Sequence, residues 1–367
     1  MGGQTKVRKR APFAWVGQAF LLVLAGFVLY IFARNFIANP PLFAQNIIDG
    51  LKLGFVYALI ALGYTMVYGI VKLINFAHGD VFMVGAFTSY FAVTRFNLHR
   101  WPELVFPAVP PGLSIVVGSI TVILLSMLVC TMLAVTIERV AYKPLRDAPR
   151  IAALITAIGV SFFLEYFGAL QFVYSPRFIP YKSPFDIVAW YIEGGIHQIL
   201  PGKEVSASAI TFSNIVLIIM AASIIVQIVL QFIVHRTKIG TAMRAASFDK
   251  PTSRLMGINV DRVISFTFAI GAAFAGLGGV LYAIAYSSIS TLLGVIPGLK
   301  AFIAAVLGGI GSIPGAFVGA LIMGQADSLT AAYISTPMKD AISFTILIIV
   351  LLVKPTGIFG EPEKEKA

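Results

Sequence analysis

A few stretches of this 367-residue chain carry chemistry against an apolar background. Residues 75–80 read Asn75-Phe76-Ala77-His78-Gly79-Asp80. An amide, an imidazole and a carboxylate stand together there, with a glycine that breaks a helix. Asp80 is placed either to cap a following helix by accepting from its free N–H groups or, with Asn75 and His78, to line a passage. A lone His without a second ligand at metal spacing is not a metal site. Cys130 is the single cysteine, so neither an intramolecular disulfide nor a cysteine metal cluster is possible. Glu165 lies inside an apolar run, about 15 residues past Arg150 and therefore roughly 22 Å along a helix. Acids at membrane depth are costly and face the bundle interior or water. Glu165 either lines such a path or reaches toward an interface.

Two further stretches are structural devices before they are chemical ones. Gly308-Gly309-Ile310-Gly311-Ser312-Ile313-Pro314-Gly315 interrupts an apolar run, and so many glycines with a proline break a helix. Either a hairpin of two short helices or a helix kinked for packing fits. Broken helices survive at membrane depth only when buried in protein or beside a wet cavity. The stretch 234–262 is longer than a linker needs to be, and it carries Arg236, Lys238, Arg244, Lys250, Arg254 and Arg262. Helix formers and small residues run from Thr237 to Phe248, including Thr241, Ala242, Ala245 and Ala246. Asp249 then precedes Lys250-Pro251, a good helix start, and Gly257 after Leu255-Met256 suits a helix stop. Two short helices on a membrane face are expected. They either bind anionic lipid as a basic surface or fit a groove in a soluble partner.

The elements that must position these residues are membrane spans. The chain is 58% hydrophobic and 12% charged, where soluble domains carry about 25% charged residues. Apolar runs of about 18–25 residues recur to the C-terminus, long enough to cross the hydrocarbon of a bilayer. The expected spans are 13–33, 47–70, 80–96, 113–136, 151–174, 209–233, 263–286, 298–324 and 341–353. The fold class is all-α and polytopic, with about 8–10 transmembrane helices and a broken, re-entrant-type hairpin. Lys and Arg cluster in residues 6–10, 137–150 and 234–262. Alternation from an inside start puts all three inside, as retention of basic loops requires. A net charge of +11 is thus a matter of topology, and no nucleic-acid partner is expected. One crossing at 298–324 would leave the tail outside, whereas a hairpin there keeps it inside. The turn-rich stretch 175–208 is the longest outer loop, with room for a short surface helix and for docking an external partner.

No phosphate-cradling G-x-x-x-x-G-K-[ST] is present, nor G-x-S-x-G, H-E-x-x-H or paired cysteines. A membrane enzyme would need convergent catalytic groups at one depth. A secondary transporter would need ionisable residues within spans for ion coupling, and on this reading only Glu165 lies well inside one.

At these residues the chain resembles the inner-membrane permease subunits of bacterial branched-chain amino-acid ABC importers. The resemblance rests on INFAHGD around Asn75, on Ile137 to Gly159, on RTKIGTAMRAASFDKPTSRLMG around Arg244, on AAVLGGIGSIPG around Gly309, and on the tail from Val353 to Gly360. It covers most of residues 45–367 and implies the ABC importer permease fold over 41–360. An N-terminal extension with an extra span (1–40) and a tail (361–367) flank it. Urea and short-amide importers are related, and such a substrate is the alternative. The resemblance implies a protein that is no enzyme and holds no cofactor, ATP being bound by two cytoplasmic ATPase subunits. It also implies a second related permease, a periplasmic amino-acid-binding protein and membrane lipids as partners. Coupling to the ATPases would fall to Thr241, Arg244, Ala245, Ala246, Asp249, Arg254, Leu255 and Gly257. Asn75, His78, Asp80, Glu165, Gly308, Gly309, Gly311 and Pro314 are the candidates for the pathway or its helix break.

Overall fold

The computed structural model describes residues 26, 30–106, 108–146, 148–200, 206 and 209–360. Most of the expected first span at 13–33 and the tail 361–367 lie outside the described residues. The rest is a bundle of helices: α1 (Pro40–Val71), α2 (His78–Thr94), α3 (Pro111–Ile137), α4 (Arg150–Gly168), α5 (Asn214–Arg236), α6 (Lys238–Phe248), α7 (Lys250–Leu255), α8 (Val260–Tyr286), α9 (Val295–Gly308), α10 (Ile313–Tyr333) and α11 (Met338–Val353). Among the described residues, five helical stretches are long and apolar enough to cross a membrane, those containing α1, α3, α4, α5 and α8.

Helix α1 is the axis of the bundle. From Gly54 to Val67 every residue is buried, so the helix is apolar all round and has no solvent face to mark its orientation. Helix α10 lies antiparallel along it. A Cβ on Gly54 would stand 2.9 Å from the Leu321 backbone and one on Gly69 would stand 3.2 Å from Gly311. Small residues at both positions let the two backbones touch, which is how helices associate where lipid removes the hydrophobic drive between them. Helices α2, α3 and α8 meet in the same way at Gly85, Gly276 and Cys130, whose thiol points at the Val81 carbonyl (3.2 Å). The outward faces of α3, α4 and α5 carry exposed Leu124, Leu128, Ile155, Phe163, Ile225 and Phe232, a surface suited to lipid.

The interrupted stretch is a hairpin, but where two short helices are expected only α9, of 14 residues, is short, and α10 has 21. Gly309 (φ 110°) and Gly311 (φ 98°) turn the chain through backbone angles that favour glycine. Ser312 caps α10 by accepting from the Gly315 N–H (3.2 Å), and Pro314 occupies its first turn. The tail folds back on this apex. The N–H groups of Ile358 and Phe359 donate to the carbonyls of Leu307 and Gly308, both at 2.9 Å. Two acceptors left open at the end of α9 are thereby filled. Apex, tail and the C-terminus of α1 share one end of the bundle, so the hairpin disposes of the parity problem that a single crossing would create.

Two expected elements differ. The span expected at 151–174 stops as a helix at Gly168, and residues 169–174 turn across the end of the bundle. The stretch 175–208 with its flank holds no surface helix among its described residues. It forms instead a three-stranded antiparallel sheet, Ile196–Gln198 beside Ala189–Ile192 beside Ile210–Ser213. The span expected from 209 accordingly begins at Asn214.

Candidate functional site

Helices α6 and α7 form as their caps dictate. Thr237 Oγ1 accepts from the Gly240 N–H (3.0 Å) and Asp249 Oδ1 from the Thr252 N–H (3.1 Å). Gly257 (φ 81°) ends α7: its N–H meets the Arg254 carbonyl and the Ile258 N–H meets that of Ser253, both at 3.0 Å. This crossed pair is the glycine stop expected from the sequence. The hairpin of helices is pinned to the bundle where Lys250 Nζ donates to the Val71 carbonyl (3.0 Å). Thr241, Arg244, Phe248, Arg254, Leu255 and Met256 face outward, Leu255 at 87% exposure. Ala246 does not. It is 1% exposed and belongs to the chain's own core with Met243. The expectation that Ala246 offers a small surface to a partner is corrected: its size is set by packing within the chain.

The cluster Asn75–His78–Asp80 is not one site. Residues 72–77 leave α1 and run back beside it, so α2 starts near Tyr64, roughly 10 Å short of the α1 C-terminus. Asn75 accepts from the Tyr142 hydroxyl (2.6 Å). His78 is buried and packs edge-on against the Tyr64 ring at 4.7 Å between centroids. Asp80 makes no side-chain cap for α2. It is 1% exposed and accepts from Ser161 on α4, while its Oδ1 has no hydrogen-bond partner. Glu165, one turn further along α4, interacts with both Asp80 and Ser161. Glu165 therefore faces the bundle interior and does not reach for the outer interface.

Two cavities flank the 72–77 segment. One of about 140 Å³ is lined by Tyr64, Phe76, Asp80, Phe162, Glu165 and Gly298, among others. The other, of about 670 Å³, is lined by Tyr68, Lys72, Glu138, Tyr142, Arg146 and Lys250, among others. It lies at the end of the bundle that carries α6 and α7. About 10 Å further along α2 in the opposite direction, Phe87 stacks on Tyr174 at 4.1 Å and Ser89 accepts from Tyr181 (3.1 Å). Burial pushes the Tyr181 hydroxyl up to about 12, so it stays a neutral donor. These aromatics close that end.

A second charged cluster was not foreseen. Lys300 on α9 and Asp327 on α10 are each 2% exposed and 2.7 Å apart. Tyr57 and Ser343 each donate to Asp327 at 2.8 Å, and Lys300 also reaches Asp340 at 2.6 Å. The expectation that Glu165 alone lies well inside a span is corrected by Asp80, Lys300 and Asp327. The boundaries misled: 298–324 put Lys300 at an edge and left Asp327 outside, whereas α10 runs to Tyr333. A single cation and a single acid in the two arms of a broken hairpin were the signal available. Among the described residues, no His, Cys, Asp and Glu cluster could hold a metal ion.

Comparison with known proteins places the chain. A family model described as the permease component of branched-chain amino-acid transport systems matches residues 46–351. The chain is 41% identical over 324 residues to the high-affinity branched-chain amino acid transport system permease protein LivH of Escherichia coli strain K12, covering 88% of this chain and 97% of LivH. LivH of Salmonella typhimurium matches equally, at 41% over the same lengths. BraD of Pseudomonas aeruginosa, a high-affinity branched-chain amino acid transport system permease protein, is 38% identical over 327 residues, covering 88% of this chain and 98% of BraD. No solved structure matches.

Proposed function

From the premise that this chain belongs to the family of branched-chain amino-acid transport permeases, we propose how it works as the membrane subunit of an ATP-driven importer. The family implies ATPase and binding-protein partners in a bacterial inner membrane. We take the assembly to hold two ATPases and a second related permease, with all ATP bound by the ATPases. The observation that carries this reading is the capped pair α6–α7. It presents exposed Leu255 and Met256 directly after Arg254, with exposed Arg244 on the preceding helix, at the bundle end where Arg254, Lys143 and Arg146 share Asp261. An exposed apolar tip rimmed by cations fits a groove in a soluble partner better than it fits lipid headgroups alone.

Transport proceeds by alternating access. A loaded binding protein docks at the end closed by Tyr174 and Tyr181, beside the three-stranded sheet. Closure of the ATPase dimer pushes on α6–α7, and Lys250 passes that push to the end of α1 at Val71. The tyrosine plug and the Asn75–Tyr142 contact then open in turn. With Asp80, Lys300 and Asp327 buried beside Glu165, a scarcity of intramembrane ionisable groups no longer argues against ion coupling. Family membership does.

The test uses vesicles containing the complete set of subunits. Leucine uptake should be competed by isoleucine and valine and not by urea; competition by urea would make this an amide permease. Leu255→Glu should insert normally and lose the ATPases on purification. Burying a carboxylate without a partner in a packed contact costs enough, at about 1.4 kcal/mol per tenfold in association, to lower binding ~100-fold. Co-purification at the wild-type level would leave α6–α7 a lipid-facing surface.

A further inference from the structure

We infer that the 140 Å³ cavity between α1, α2, α4 and α9 binds the ammonium group of a zwitterionic amino acid in transit, on the carboxyl pair Asp80 and Glu165. The choice of a zwitterion rests on the function proposed above; the cation preference rests on the cavity alone.

Two acids in contact, deep in a membrane bundle, call for a compensating charge. Neither has a cation among the described groups that interact with it. Ser161 satisfies one oxygen of Asp80, and Oδ1 is left without a partner although the residue is 99% buried. A buried polar atom without a partner is costly and calls for an explanation. Elsewhere in the same bundle, Asp327 shows what a purely structural acid receives: a lysine and two hydroxyl donors. The Asp80–Glu165 pair has one serine hydroxyl, from Ser161, and no cation among the described residues.

The remaining walls favour an amino acid over an inorganic cation. Ile158, Phe162, Val295 and Leu299 give the cavity apolar walls that suit a branched aliphatic chain, and beside the two acids its only side-chain oxygens among the described residues are the hydroxyls of Tyr64 and Ser161. Helix α9 begins at the cavity with no side-chain cap, so its positive end faces the place where the substrate carboxylate would lie. Gly79 and Gly298 bring the starts of α2 and α9 together: a Cβ on Gly298 would stand 3.0 Å from the Gly79 Cα. Larger residues there would fill the space beside the acids.

The test places a reporter cysteine at Ile158 in a Cys130→Ser background and uses the complete assembly in vesicles. The cationic reagent methanethiosulfonate ethylammonium should react at least about tenfold faster than the anionic ethylsulfonate, since a like-signed pocket concentrates its counter-ion. Asp80→Asn and Glu165→Gln should each bring the two rates toward parity. Leucine and 3-methylbutylamine should protect, and 4-methylpentanoate, which lacks the amine, should not. Asp80→Asn should also lower leucine uptake at least about tenfold, the scale of a lost charge-assisted contact. Equal reagent rates in the wild type, an unchanged ratio in both variants, or protection by 4-methylpentanoate would overturn the inference. Absence of leucine-stimulated hydrolysis in the wild-type assembly would instead sink the proposed function, leaving the charge preference at Ile158→Cys to be read separately.

Discussion

Among the buried carboxylate sites of this permease, those of Asp327 and Asp80 solve one electrostatic problem in opposite ways. Asp327 is met by Lys300 at 2.7 Å and by the hydroxyls of Tyr57 and Ser343, so its charge is neutralised within the chain. Asp80 is met by a serine and by another acid. The first site ties together α1, α9, α10 and α11, four segments that must hold still for the hairpin to keep its shape. The second lies between α2 and α4, beside a cavity. Charges that hold a fold are closed by the fold, and charges that await a ligand are not.

The sharpest break of this comparison comes from removing one partner of the closed pair. Lys300→Met leaves Asp327 buried without its cation, a change that costs about 3–5 kcal/mol where a buried pair is broken. The lone, fully buried Cys130 gives a native readout, because a thiol-reactive fluorophore can label it only as the bundle opens. The labelling temperature of Lys300→Met should fall well below that of the wild type. Adding Asp327→Asn to Lys300→Met should recover much of the loss, since the fully buried charges of this cluster are then gone and its other acid, Asp340, is 41% exposed. If the double variant is no more stable than the single one, Lys300 does not serve to neutralise Asp327.

A smaller effect is expected from Ser343→Ala, which deletes one of two hydroxyl donors to Asp327. Hydrogen bonds to charged groups contribute about 1.5–3 kcal/mol, and Lys300 and Tyr57 stay in place. The labelling temperature should fall by less than for Lys300→Met. A fall as large as that of Lys300→Met would mean that Ser343 holds α11 to the hairpin by more than this bond.

How legible these features are in the sequence follows from their range. The α6–α7 pair could be read residue by residue, because Thr237, Asp249 and Gly257 act on backbone groups within three or four positions. The hairpin was readable for the same reason: Gly309, Gly311 and Pro314 break a helix locally. The Lys300–Asp327 pair was not, because its partners stand 27 positions apart on helices with no polar stripe to orient them. For Asp80 a cap is the most local option and a passage lining the alternative, and only the tertiary approach of α4 brings it to Ser161. Ala246 fails similarly. A small residue on a short helix looks alike in sequence whether it faces a partner or the chain's own core. The sheet over 189–213 was hidden by a Pro- and Gly-rich stretch that carries no strand alternation long enough to notice.

The smallest expected effect is the most informative about the open site. Asp80→Asn removes a charge that the fold does not neutralise and keeps the size and the acceptor oxygen that Ser161 uses. The desolvation cost of the carboxylate disappears with the charge, while the hydrogen bond from Ser161 can persist. Stability should therefore change by less than about 1 kcal/mol, or rise, as buried charges without partners often allow. The Cys130 labelling temperature should match or exceed that of the wild type, in contrast with Lys300→Met. Residues that hold a ligand at a cost to the fold behave in this way, because function and stability trade against each other there. If Asp80→Asn instead lowers the labelling temperature as far as Lys300→Met does, then Asp80 is a structural acid. Its unpartnered oxygen would then have to be satisfied inside the chain, and the division between a closed and an open site would fail.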